Sequence, residues 1–121
     1  MIESHLELLR ITRENIFKSV DGLSSEQLNK IPSGLNNNLI WNIGHVIVTQ
    51  QLLVYALSGL SPLMEAELIE KYRKGSKPGD QTGTDEWNYL QDAAFPLIER
   101  TREDYVAGKF TEYKPYTTSY N

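Results

Sequence analysis

Between Leu39 and Leu57 the chain is strongly apolar, and one histidine, His45, sits inside that run. The apolar residues go nearly all the way round a helix, which marks a helix enclosed by others. The same segment holds Asn42, Gly44, Thr49, Gln50 and Gln51. These groups would be costly in lipid, so the expectation is the central helix of a soluble bundle and not a membrane span. An imidazole in that setting needs a hydrogen-bond partner or a metal. Whatever else the chain does, it must build walls around this helix and find something for His45 to bind.

The flanking residues supply those walls. Ser4 and Glu7 read as a capping box, followed by an apolar stripe at Ile2, Leu6, Leu9, Ile16, Phe17 and Val20. Arg10, Arg13, Glu14 and Lys18 are assigned to the opposite, solvated face. This first helix is expected over about Ser4 to Val20, ended by Asp21-Gly22. Ser24 and Gln27 read as a second capping box for a short helix that stops near Ile31, before Pro32. Asn37 or Asn38 can cap the central helix, expected over Leu39 to Ser58 and ended by Gly59. Ser61-Pro62 then restarts the chain, and a shorter helix fits Leu63 to Tyr72, with Leu68 and Tyr72 inward.

Gly75 to Gly83 is a loop by composition. Thr84 is expected to cap the next helix, whose inner stripe is Trp87, Leu90, Ala94, Leu97, Thr101 and Tyr105. Pro96 should kink that helix or split it in two. Ala107-Gly108 ends it, and Lys109 to Asn121 reads as extended or loop. With no convincing strand and no repeat, residues 1–121 are expected to form one all-α domain, a helical bundle.

Composition narrows the function classes. The chain has 121 residues, 40% of them hydrophobic and 23% charged, with a formal net charge of −4. That balance offers no basic footprint for nucleic acid or anionic lipid. There is no cysteine, hence no disulfide, thiolate nucleophile or thiolate metal site. This fits a reducing compartment, and a cytoplasmic location is expected. Met1-Ile2-Glu3-Ser4-His5 lacks the basic start and apolar run of a secretory signal. Adjacent Asp85 and Glu86 suit the positive end of a helix better than acid–base work. Neither Ser24-Ser25 nor the glycines between Gly75 and Gly83 match a nucleophile elbow or a phosphate loop.

Asn42, His45, Thr49, Leu52 and Ala56 share one face of the central helix. From spacing alone, His45 is a core or boundary residue bonded to a carbonyl or to the Thr49 hydroxyl. A metal site needs several converging ligands, and no second histidine stands one turn away. His5 is the one other histidine in the chain and the one further candidate imidazole ligand. It lies in the first turn of the first helix, where a surface position is the simpler reading.

The run Asn38-Leu39-Ile40-Trp41-Asn42-Ile43-Gly44-His45-Val46 resembles the second-helix motif of the DinB-like family of damage-inducible, metal-dependent bundles. Leu23 to Asn29 with Pro32, Ser58-Gly59-Leu60, and Tyr72 to Pro78 are similar to the family's flanking stretches. The resemblance spans most of the chain, and Trp41, Gly44 and His45 are its most specific part.

The resemblance implies a four-helix bundle holding a divalent metal, zinc or nickel, with three histidines. His45 matches one of them. The other two sit as His-x-x-x-His on a last helix for which this chain has no counterpart. The resemblance thus implies a bundle lacking its C-terminal helix, as part of a longer protein, as a naturally shortened member or with a second chain supplying the rest, and expected to hold metal weakly by itself. An intact form would be a divalent-metal-dependent hydrolase or a thiol-transferase-like enzyme of unknown substrate. The alternative is a non-catalytic interaction module with His45 as a structural residue. In either case the apolar helix faces left without a partner are expected to drive homodimerisation.

Overall fold

The structure, a computed structural model, describes residues 2–35, 37–78 and 83–112. Its regular elements there are all helical: α1 (Ile2–Val20), α2 (Ser25–Asn29), α3 (Leu39–Val54), a 3-10 turn (Ala56–Ser58), α4 (Ala66–Tyr72), α5 (Thr84–Ala93) and α6 (Pro96–Val106). The all-α class read from the sequence is therefore what the chain adopts. The expected extended tail falls mostly on residues 113–121, and part of the expected loop on 79–82. Both lie outside the described residues.

α3 is the hub. It packs against α2, α4 and α5, while α1 lies along α6. Its buried side chains Ile40, Trp41, Ile43, Ile47 and Val48 join Val20, Leu28, Met64, Ile69, Tyr72, Leu90, Ala94 and Leu97 in one core. By length and composition the segment Leu39–Ser58 could cross a membrane, with a mean hydropathy of 1.2, but 50% of that window is buried inside the bundle. Such burial is what a core helix shows.

Local signals explain most of the boundaries. The Ser24 hydroxyl accepts from Gln27 N at 3.1 Å, and the Gln27 side chain accepts from Ser24 N at 2.9 Å, completing a capping box. Asn38 caps α3 by accepting from Trp41 N at 2.7 Å, and its amide nitrogen donates to the Asn29 carbonyl at 3.1 Å. The start of α3 is thereby pinned to the end of α2. Pro96 splits the last rod into α5 and α6 and sits in the first turn of the second piece.

Several expectations fail for identifiable reasons. α1 begins at Ile2, so Ser4 and Glu7 lie within the helix, and Glu7 pairs with Arg10 (Arg10 Nε to Glu7 Oε2, 3.0 Å). α4 starts at Ala66 instead of Leu63, because Leu63 N is bonded to Gln51 Oε1 at 2.7 Å and held against α3. Gly83 and not Thr84 is the cap residue of α5. Tyr105 is 49% exposed, whereas Asp104 beside it is buried.

The largest departure is Arg13, assigned to the solvated face but 2% exposed. Its Nη1 donates to the Ala94 carbonyl at 2.5 Å, and its Nη2 donates to Gln50 Oε1. The Ala94 carbonyl is available because the helix breaks there: Ile98 N bonds to the Phe95 carbonyl instead, at 3.0 Å. Gln50 Nε2 donates to Thr101 Oγ1 at 3.0 Å, which donates to the Leu97 carbonyl at 2.9 Å. One guanidinium thus joins α1, α3 and the α5–α6 break. Burial pushes its pKa down to about 10, so it is still charged at neutral pH.

A second buried polar cluster ties the end of α3 to α6. The Tyr55 hydroxyl donates to Asp104 Oδ2 at 2.6 Å, and Arg100 Nε and Lys109 Nζ each approach Asp104 Oδ1 at 3.2 Å. Burial, then the bond to Asp104, pushes Tyr55 up to about 12. Burial opposes the charge on Asp104, but bonds from Tyr55, Lys109 and Arg100 outweigh it and hold Asp104 below its ordinary value. An unfolded tyrosine ionises near ~10. The folded chain therefore keeps a proton that the unfolded chain loses. This contribution is complete below pH ~10 and lost as pH rises through the folded value. Tyr55→Phe is expected to flatten the alkaline limb of a urea-unfolding series against pH. An unchanged alkaline slope would contradict the assignment.

Candidate functional site

His45 sits mid-way along α3, and three residues of its motif converge on one segment, Tyr72 to Ser76, at the end of α4. Trp41 Nε1 donates to Ser76 Oγ at 3.0 Å. His45 Nδ1 lies 2.8 Å from the Tyr72 carbonyl, which can only accept, so Nδ1 carries the proton. The Trp41 and His45 rings stack, with centroids 4.7 Å apart and planes 10° from parallel. Gly44 is present because the Tyr72 ring lies directly on the α3 backbone. A Cβ at that position would stand 2.5 Å from Tyr72 Cδ1.

Tyr72 is itself fixed. Its side chain is 1% exposed, and its hydroxyl donates to Glu86 Oε2 on α5, which also takes Lys71 Nζ at 2.6 Å. The bond to Nδ1 therefore comes from a rigid carbonyl. In the neutral ring it leaves Nε2 as the nitrogen with a lone pair for an incoming partner. This is also how metal-binding histidines are commonly oriented: the far ring nitrogen donates to a carbonyl or carboxylate.

The His45 ring lines a cleft of about 510 Å³, together with Thr49, Leu52, Leu53, Ala56, Leu57, Arg73 and Lys74. The face anticipated from α3 periodicity is thus assembled at His45, Thr49, Leu52 and Ala56. Asn42 is the exception: its side chain turns back to the Asn38 carbonyl at 2.9 Å. His5 is exposed on α1 and is not among the residues lining the cleft. Arg73 and Lys74 were not singled out from the sequence as site residues. The signal is present, since Tyr72 to Pro78 belongs to the resemblance, but its composition reads only as helix end and loop.

The donor set can be compared with what a divalent metal needs. Nε2 of His45, backed by a carbonyl at Nδ1, is a competent ligand. Among the described residues no group of three or more His, Asp or Glu side chains gathers to hold an ion. The two charged residues of the cleft are cations, which repel a divalent metal. The described residues supply one ligand and do not complete a metal centre.

A family model described as the DinB superfamily matches residues 8–119. No curated protein and no solved structure matches the chain.

Proposed function

The chain belongs to the DinB superfamily, and from that membership and the cleft geometry we propose that the His45 cleft is its working site. His45 Nε2 is the atom that meets what binds there. The bond from Nδ1 to the Tyr72 carbonyl carries this reading, because it fixes both the ring and its tautomer. In a metal-dependent hydrolase or thiol-transferase-like enzyme of this family, Nε2 of His45 would fill one coordination position of zinc or nickel. Neutral imidazole suits both ions. The remaining ligands are not among the described residues.

Metal content after exhaustive dialysis is the test. The protein is expected to retain far less than one zinc or nickel ion per chain, with weak zinc binding in titrations that His45→Ala removes while the helical fold remains. One tightly held ion per chain, or zinc binding indifferent to His45→Ala, would overturn this assignment.

Leu39, Val46 and Leu53 favour a second role. They are 41%, 37% and 37% exposed and recur at heptad spacing along α3, and Leu53 also lines the cleft. Such a seam suits another helix, and a second copy of the chain is the simplest occupant. Light scattering on the same dialysed samples distinguishes the two roles. A dimer whose stability ignores both zinc and His45→Ala supports a non-catalytic interaction module.

A further inference from the structure

The polar lining of the His45 cleft is positive or neutral throughout. Arg73 and Lys74 stand at one side, the His45 ring and Thr49 beside them, and Leu52, Leu53, Ala56 and Leu57 complete the wall, with no carboxylate among the lining residues. In a chain with a formal net charge of −4, a cleft free of acid is a local reversal.

The negative end of α4 points the same way as these cations, and its carbonyls could have cancelled them. Three of them, those of Ile69, Lys71 and Tyr72, are already engaged. Tyr72 O accepts from His45 Nδ1 at 2.8 Å and Ile69 O from Arg73 N at 3.0 Å. Ser76 Oγ lies 2.9 Å from Lys71 O and 2.7 Å from Arg73 O. Lys74 makes no ion pair among the described residues, and Arg73 is held only by Glu70, Nη1 to Oε1 at 2.8 Å, with both side chains well exposed. An exposed pair of this kind contributes little and exchanges readily. It also shows that the Arg73 guanidinium accepts a carboxylate in its resting position.

Building on the reading of this cleft as the working site, we propose that it binds a small organic carboxylate with an apolar body. The carboxylate meets Lys74 and Arg73, in place of Glu70, with Thr49 and His45 within the same wall. The apolar body lies along Leu52, Leu53, Ala56 and Leu57. The volume of about 510 Å³ is in the range of small-molecule sites. Lys74, without an ion pair among the described residues, and Arg73, shared with Glu70, together match a monoanion better than a dianion.

Octanoate, octylammonium and octanol, of equal chain length, are suitable probes, titrated into the full chain and followed by amide chemical shifts and calorimetry. Octanoate is expected to shift the amides of Thr49, Leu52, Leu53 and Leu57. Octylammonium is expected to bind about tenfold more weakly, or not at all. Lys74→Gln and Arg73→Gln, both at exposed positions, should each weaken octanoate by about threefold and leave octanol unchanged. Glu70→Gln should tighten octanoate by releasing Arg73.

Equal binding of octylammonium and octanoate would overturn the proposal, as would octanoate shifts confined to other parts of the bundle. If octanoate fails while zinc still reports on His45, the carboxylate assignment falls and the cleft reading stands. If neither ligand perturbs the cleft, both fall.

Discussion

Arg13→Ala is expected to destabilise the fold by about 3–5 kcal/mol, seen as a lower urea midpoint with an unchanged slope. Truncation opens a cavity where α1, α3 and the α5–α6 break meet, and it strips the Ala94 carbonyl and Gln50 Oε1 of their donor. Each buried group left unpaired costs about 1–3 kcal/mol. For a domain whose whole stability is about 5–15 kcal/mol, that loss is large.

Arg13→Met keeps most of the volume and should lose less. Combining it with Gln50→Leu should recover part of the loss, because it removes the unpaired Gln50 amide together with the buried charge, although the Ala94 carbonyl stays without its donor. Thr101 keeps its bond to the Leu97 carbonyl in that variant. A loss under about 1 kcal/mol for Arg13→Ala, the range of a surface substitution, would contradict the buried placement.

Gly44→Ala has the second largest expected effect, about 2–3 kcal/mol, the cost of overpacking a filled site. The new methyl group would meet Tyr72 Cδ1 at 2.5 Å, Cγ at 2.7 Å and Cε1 at 2.8 Å. The ring cannot swing aside freely, because its hydroxyl is bonded to Glu86 and the side chain is buried in the core. The segment from Tyr72 to Ser76 must therefore move away from α3, weakening both the His45–Tyr72 and the Trp41–Ser76 bonds. The variant should lose stability and change the environment of Trp41 together. A stable Gly44→Ala protein with unaltered Trp41 fluorescence would mean that Tyr72 does not lie on the helix.

Much of the fold was legible from local chemistry. The Ser24 box, the Asn38 cap and the Gly59 stop each rest on bonds among a few adjacent residues, and Pro96 by itself marks the break, although the Ala94 carbonyl freed there is met by distant Arg13. Residue type alone puts Arg13 outside, whereas the structure buries it. Its spacing from Leu6, Leu9, Ile16, Phe17 and Val20 puts it on their stripe, and a strict reading of the period would have placed it inside. What the period could not show is why a charge is tolerated there: the acceptors are Ala94 and Gln50, far away in sequence. Asp104, one turn beyond Thr101, is likewise buried by a distant partner, Tyr55 at the end of α3.

The site was half legible. The α3 face carrying His45, Thr49, Leu52 and Ala56 follows from the helical period. The other wall comes from Arg73 and Lys74, in a segment that reads as an ordinary helix end until it is docked on α3. The Trp41–Gly44–His45 motif proves to be the dock for that segment. Trp41 bonds to Ser76, Gly44 makes room for Tyr72, and His45 is held by the Tyr72 carbonyl. Two of the three motif residues thus have complete structural explanations, and in the third only Nε2 is left over.

That leftover nitrogen is the centre of the account, and its protonation can be read directly. Long-range nitrogen–proton NMR of the neutral imidazoles distinguishes the two tautomers of His45. The expected result is a proton on Nδ1 and a bare Nε2, with a Nδ1–H signal slowed in exchange by its bond to Tyr72. A proton on Nε2, or rapid averaging between the two nitrogens, would contradict it and return His45 to the status of an ordinary half-buried side chain.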